Sequence, residues 1–153
     1  MCVIKETSDR GNGIFAEKTF KIGDVVFIGK VEKELVNNHS HASQVGLDKF
    51  ILPDPIYRTT NHSCDPNCGI QLNPEGAHNL IAKKDIEAGE EVTFDYAMEN
   101  FVIESFPAPC KCGSTYCRKH ITGWKDLNEI KKAEYRNWAA PYLLIHDLEL
   151  QID

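Results

Sequence analysis

Over roughly the first hundred residues, apolar positions fall in short runs broken by glycine, proline and asparagine, a pattern of strands joined by turns. Residues 2–6 predict one strand, and Gly11 and Gly13 turn the chain into a second over 13–17. Lys21-Ile22-Gly23-Asp24 is a turn into 25–28, and 31–36 continues or re-enters the sheet. A polar stretch over 37–43 precedes another strand at 49–52, which Pro53 and Pro55 close. Apolar runs at 68–72 and 78–83 flank Asn73-Pro74-Glu75-Gly76, a loop chemistry suited to a hairpin. The Glu87-Ala88-Gly89 turn leads into a last short strand at 91–94.

After Gly123 the period changes. Asp126, with Glu129 three residues later, has the form of a helix N-terminus. Leu127, Ile130, Ala133 and Trp138 fall roughly on one helical face, and Pro141 stops the run. Residues 142–150 predict a second short helix. No repeat, low-complexity tract or linker divides the 153 residues, so the pattern predicts one mainly β domain with short helices at its end.

Composition narrows the class without naming a function. With 42% hydrophobic and 26% charged residues the chain reads as a soluble globular protein. No apolar run approaches the ~20 residues of a membrane span. The first residues lack a charged-then-apolar leader, and the expected location is cytoplasmic. The net charge of −6, with no block of Lys and Arg, argues against a protein that grips nucleic acid. It suits a basic partner, although solubility alone explains it as well. Nothing in the pattern sets the oligomeric state.

Six cysteines change the picture more. Cys110 and Cys112 are two apart, so an extended backbone points both sulfurs to one side. Gly113 lets the chain turn back, and Cys117 supplies a third thiol. Structural zinc takes four tetrahedral ligands, and the residues offer either the nearby His120 or the distant Cys64 as the fourth. Cys2 and Cys68 lie outside the pattern and read as buried or free thiols.

Three more motifs precede that cluster: Gly11-Asn12-Gly13-Ile14-Phe15-Ala16, Asn61-His62-Ser63-Cys64-Asp65-Pro66-Asn67, and Gly89-Glu90-Glu91-Val92-Thr93-Phe94-Asp95-Tyr96. In this order and spacing, over about residues 2–124, the chain resembles the SET-domain protein-lysine methyltransferases. It looks most similar to the small stand-alone bacterial and viral type with a zinc-binding post-SET segment. The resemblance implies a fold of small curved sheets with a pseudoknot, in which the Tyr96 segment passes beneath the Asn61 loop. It implies a SET domain over 1–105, a zinc-binding post-SET segment over 106–124, and a helical tail over 125–153 packed on the same domain.

The resemblance also implies S-adenosylmethionine as methyl donor and one structural zinc held by Cys64, Cys110, Cys112 and Cys117. The donor would lie against Arg10, Gly11, Asn12, Gly13 and Phe15, held by Arg58, Asn61 and His62, with Tyr96 at its reactive end. The residue after Arg58, aromatic in the family, is Thr59 here. Trp124 either covers the adenine or simply packs the tail. Tyr96 corresponds to the catalytic tyrosine, Phe94 and Tyr57 to walls of a lysine channel, and Asp95 to a support of the local fold. Where the family carries Phe or Tyr, Phe94 implies room for more than one methyl group.

The chemistry accounts for these residue types. In-line methyl transfer needs a neutral amine, a methyl group and a sulfonium held in near-attack alignment. A lysine titrating near ~10.4 must enter as its free base, which an apolar channel and an approaching cation both favour. The expected partner is a basic protein with an accessible lysine, histones among the choices, with a nuclear or host-chromatin location if the chain is viral or a secreted effector. A catalytically inactive binding module of the same fold is the second reading. A structural zinc protein is the third, and it leaves the Asn-His-Ser-Cys and Phe-Asp-Tyr motifs unexplained.

Overall fold

The computed structural model describes residues 1–104, 106 and 108–152. Strands β1 (Cys2–Glu6) and β2 (Asn12–Ala16) form an antiparallel hairpin that sets Ile4 opposite Ile14. The turn between them uses Gly11 at φ 68°, a left-handed conformation that a side chain disfavours. Strand β3 spans Val25–Phe27 and β4 spans Val31–Leu35. Strands β5 (Ser43–Gly46) and β6 (Lys49–Pro53) follow, then helix α1 (Pro55–Thr59) and the two-residue strand β7 (Asn61–His62). Strands β8 (Cys68–Leu72), β9 (His78–Ala82) and β10 (Glu91–Phe94) complete the β portion. Three small sheets result, in the orders β1-β2-β10-β7, β3-β9-β8 and β4-β6-β5.

Strands β5 and β7 and helix α1 were not expected from the pattern. Strand β5 sits at the end of the stretch that reads as polar, and its Ser43 and Gln44 are buried because both find partners. Ser43 Oγ bonds Glu99, while Gln44 Oε1 accepts from the Phe101 N–H. Helix α1 begins where the prolines were expected to end a strand. Asp54 caps it by accepting from Tyr57 N at 3.1 Å, and Pro55 occupies the first turn, where no N–H is needed.

The C-terminal helices also differ from expectation. Asp126 ends a 3-10 turn over Trp124–Asp126, and the cap of helix α2 (Glu129–Glu134) is Asn128, whose side chain accepts from Lys131 N at 2.8 Å. Ile130 is 82% exposed, so the proposed apolar face is not the buried one. Pro141 opens helix α3 (Pro141–Ile152) instead of only stopping a run. Among the described residues no helix is long and apolar enough to cross a membrane.

The tail shares the core of the sheets. Ile14, Leu80, Ile86 and Val92 pack in one cluster with Trp124, Tyr135 and Leu143. The backbone is stitched across as well: Ile70 N donates to Trp138 O at 2.8 Å, and Ala140 N to Met98 O at 2.8 Å. A Cβ on Gly69 would come within 2.6 Å of the Trp138 side chain, so glycine is what lets the tail approach β8.

Candidate functional site

Parallel pairing of β10 with β7 brings the site together, since it sets Thr93 beside Asn61 and Phe94 beside His62. The chain continuing from β10 then lies directly under β7. Ser63 N donates to Phe94 O at 3.1 Å, and Tyr96 N donates to His62 Nδ1 at 3.1 Å. With Nδ1 accepting, the His62 proton is assigned to Nε2, which faces Cys64 Sγ at 3.3 Å. Burial lowers the His62 pKa to about 4, so the ring is neutral near pH 7.

A cleft of about 900 Å³ opens over β2 and β7, walled by Arg10, Asn12, Arg58, Asn61, Tyr96 and Phe106. Glu91 organises its floor. It accepts from Arg10 Nη2 at 2.5 Å and from Asn61 Nδ2 at 2.9 Å, and the same amide donates to Asn12 O at 3.0 Å. Gly13 makes this convergence possible, because a Cβ there would lie 2.5 Å from Glu91 Oε1 and 3.0 Å from Asn61 Nδ2. Arg58 is held by Glu32 at 2.5 Å and by Pro53 O at 3.1 Å. Arg10 Nε is buried and makes no hydrogen bond among the described residues, with Asp9 Oδ1 standing 3.5 Å away. Two guanidinium groups and an amide on one cleft wall suit a ligand that carries a carboxylate.

A second, narrow cavity of about 40 Å³ lies behind the first, walled by Tyr57, Thr60, Phe94, Tyr96 and Glu99. Its aromatic rings are close, with centroids 5.4 Å apart for Tyr57 and Phe94 and 5.2 Å for Phe94 and Tyr96. The Tyr96 hydroxyl donates to Thr60 O at 2.9 Å, so its proton is engaged and its lone pairs are free. Burial, aided by the nearby Glu99 carboxylate, raises the Tyr96 pKa, which keeps the phenol neutral.

Of the residues expected around a donor, Gly11, Gly13, Phe15, His62 and Trp124 do not wall the cleft. Gly13 and His62 lie just beneath it, and Phe15 has the Lys5 ammonium over its ring at 5.8 Å. Trp124 is fully buried in the core, its Nε1 donating to Asp147 at 2.7 Å. It therefore corresponds to the packing alternative.

The sulfurs of Cys64, Cys110, Cys112 and Cys117 all lie within 4.8 Å of one another, and His120 is not part of the group. Tetrahedral zinc at Zn–S of ~2.3 Å requires sulfurs roughly 3.8 Å apart, and Cys64 and Cys110 are 3.8 Å apart. Burial holds the Cys64 thiol up at about 11, and a bound cation is what makes the thiolate favourable. The donor set fits one zinc ion. Cys2 and Cys68 are free thiols outside this group, Cys68 fully buried.

Sequence reasoning left Arg118 and Glu91 without a role. Arg118, next to Cys117, donates to Asp95 through both terminal nitrogens, at 2.6 and 2.9 Å, and its N–H points at Cys64 Sγ at 3.4 Å. Asp95 also accepts from Tyr135 Oη at 2.9 Å and from Ala97 N at 3.0 Å. The cysteine segment is thus locked to the residue preceding Tyr96. An arginine inside a cysteine cluster was the available signal.

The chain is similar to known proteins. The SET domain family model matches residues 11–97. The chain is 33% identical over 129 residues to the "Histone-lysine N-methyltransferase, H3 lysine-4 specific" of Mycosarcoma maydis, over 71% of this chain and 9% of that protein. It is 38% identical over 143 residues to the "Histone-lysine N-methyltransferase, H3 lysine-36 specific" of Aspergillus oryzae, over 80% of this chain and 14% of that protein. The chain therefore spans a small part of the length of these relatives. Among solved structures, KRYPTONITE in complex with mCHH DNA, H3(1-15) peptide and SAH matches with a TM-score of 0.60 at 20% identity, over 77% of this chain and 29% of that one. A likeness at that identity establishes the fold.

Proposed function

Because the chain belongs to the SET-domain family, we propose that it transfers a methyl group from S-adenosylmethionine to the side-chain amine of a lysine on a protein. The observation that carries this reading is the position of Tyr96, which forms a common wall of the wide cleft and the narrow aromatic cavity. A displacement in line needs two entrances meeting at one point, one for the donor and one for the amine. When bound, S-adenosylmethionine supplies a methyl group on a positively charged sulfur.

Each residue then has a task. Arg10, Asn12, Arg58 and Asn61 receive the donor, its carboxylate against the guanidinium groups, while Gly13 leaves the space in which Glu91 and Asn61 meet beneath it. His62 holds the Tyr96 backbone from below. The Tyr96 oxygen, its own proton committed to Thr60 O, accepts from the amine and faces the charge that develops on nitrogen. A phenol that keeps its proton is no general base. Tyr57 and Phe94 hold the lysine stem in apolar surroundings that favour the free amine.

The substrate class proposed is a basic protein such as a histone, in keeping with the net charge of −6 and the names of the relatives. Relatives specific for two different lysines match this chain at similar identity, so the shared motifs do not choose the site. The test is incubation of the zinc-loaded protein with tritiated S-adenosylmethionine and a histone mixture, followed by acid hydrolysis of the protein. Recovered methyl-lysine supports the reading. Label on arginine alone, or none despite donor binding, contradicts it.

Two variants probe the walls. Phe94→Tyr adds a hydroxyl at the channel wall and is expected to shift the product from di- or trimethyl-lysine toward monomethyl-lysine; an unchanged product distribution by mass spectrometry would remove Phe94 as the size gate. Gly13→Ala places a methyl group against Glu91 and Asn61. It is expected to weaken donor binding about tenfold, or ~1.4 kcal/mol, by calorimetry. Unaltered affinity would mean the donor does not depend on this convergence.

A further inference from the structure

Behind the narrow cavity lies a buried polar cluster that the reaction described above does not use. Glu99 is 3% exposed, yet its carboxylate helps wall the cavity beside Tyr57, Phe94 and Tyr96. Its Oε1 accepts from Tyr57 Oη at 3.0 Å, from Ser43 Oγ, and from His78 Nδ1 at 3.1 Å. His78 Nε2 is buried with no partner among the described residues, so the ring proton is best placed on Nδ1, facing Glu99. Among the described residues, the hydrogen bonds to this carboxylate fall on one oxygen, which leaves Oε2 for a further donor.

Through Oε1 the carboxylate ties β5, α1 and β9 together, which accounts for its burial, whereas Oε2 has no such duty among the described residues. The lysine side chain arrives as an ammonium, and only about one in a thousand is neutral near pH 7.4 if its pKa stays near ~10.4. The cavity, of about 40 Å³, has room for an amine head and a few waters. An ammonium entering it meets Glu99 Oε2 as an acceptor, while the apolar walls of Tyr57 and Phe94 favour the uncharged amine.

We infer that Glu99 draws the lysine ammonium into the narrow cavity and accepts its proton, leaving the free amine against Tyr96. The N–H bond breaks with its electron pair kept on nitrogen, where it becomes the lone pair that attacks the methyl carbon. An O–H bond forms on Glu99, and the proton passes to solvent after the methylated product leaves. The groups facing Glu99 are the Tyr57 phenol of α1, the His78 imidazole of β9, Tyr96, and Tyr142 of α3, whose hydroxyl donates to Glu99 O at 2.5 Å. Arg58 and His41 stand on the cavity wall. This role rests on the methyl-transfer reading and adds a proton acceptor to it.

Glu99→Gln keeps the shape and the acceptor oxygen for Tyr57 and Ser43, and removes only the basic site. Single-turnover transfer to a histone H3 1–15 peptide is measured from about pH 6.5 to 10 for wild type and variant, with thermal melting and donor calorimetry to show that the fold is intact. The variant is expected to be slower by about 10²-fold near pH 7.5. Its rate should rise about tenfold per pH unit and converge on wild type as the peptide amine deprotonates in solution. A ratio that stays constant across the range, or no loss, overturns the inference while leaving methyl transfer itself standing.

A second readout does not depend on turnover. Calorimetry with S-adenosylhomocysteine present compares the same peptide with one carrying norleucine in place of each lysine. Wild type is expected to prefer lysine and Glu99→Gln to lose that preference, even if no methyl is transferred by either. No preference in wild type, including binding of neither peptide, overturns the inference. Asp at this position, Glu99→Asp, serves as the rescue variant: it restores the basic group and is expected to recover part of the neutral-pH rate.

Discussion

Tyr96→Phe is expected to slow methyl transfer by about 10²- to 10³-fold while donor affinity and melting temperature change little. The ring stays, with its edge contact to His62 at 5.3 Å and its packing on Phe94 at 5.2 Å, so the walls of both cavities survive. What is lost is one oxygen whose proton is tied to Thr60 O at 2.9 Å and whose lone pairs face the meeting point of the cavities. An interaction that strengthens only as charge develops on nitrogen lowers kcat and kcat/KM together and leaves substrate binding alone. Because burial keeps this phenol protonated, the loss should be the same across the neutral range and should not be rescued by raising pH. That pH behaviour separates it from the variant at Glu99. A Tyr96→Phe protein with a small loss, or with a loss that disappears at high pH, would contradict the role given to the hydroxyl.

Removing the metal, or the ligand Cys64, is expected to have an effect of similar size by a different route. The cysteine segment is bound to the site through Arg118, whose two nitrogens hold the fully buried Asp95. If the segment is released, Asp95 keeps Tyr135 and Ala97 but loses its counter-charge, and an uncompensated buried charge costs about 3–5 kcal/mol. Asp95 is the residue before Tyr96, and in Cys64→Ser the His62 ring that supports the Tyr96 backbone also has its contact with Cys64 Sγ altered. Both chelation and Cys64→Ser should therefore lower the melting temperature and abolish transfer, whereas Cys2→Ser, outside the cluster, should do neither. Arg118→Ala should reproduce much of the loss with zinc still bound, read by metal analysis. Full activity after complete zinc removal would show that the segment needs no metal to hold its place.

The fold was legible to different depths along the chain. Strands 2–6, 68–72 and 91–94 could be read to the residue: apolar positions alternate in the last two, Asn73 closes the second, and the first is an apolar run ahead of a polar turn. Strand β5 could not, since Ser43 and Gln44 are buried by partners at Glu99 and Phe101, far away in sequence. The helical tail misled for a related reason. Asp126, Asn128 and Pro141 all carry cap or breaker chemistry, and propensity does not say which cap the chain uses, whereas packing of Trp124 and Trp138 does.

The site shows the same division. Spacing alone singled out Cys110, Cys112 and Cys117, while Asn61, Tyr96 and Cys64 came from the family resemblance that their contiguous motifs carry. Glu91, Asp95 with Arg118, and Glu99 act through contacts between elements distant in sequence, and only the parallel pairing of β7 with β10 brings most of them together. Trp124 shows the converse. Its place just after a motif left ligand contact and core packing both open, and the side chain is fully buried.

The most direct test of the central claim is a mass spectrum. Zinc-loaded protein is incubated with a histone mixture and S-adenosylmethionine bearing a deuterated methyl group, beside the Tyr96→Phe variant, and the peptides are sequenced by fragmentation. Deuterated methyl groups are expected on lysine side chains with wild type and nearly none with the variant. Donor bound in the cleft with no lysine gaining label, or equal label from both proteins, would contradict it.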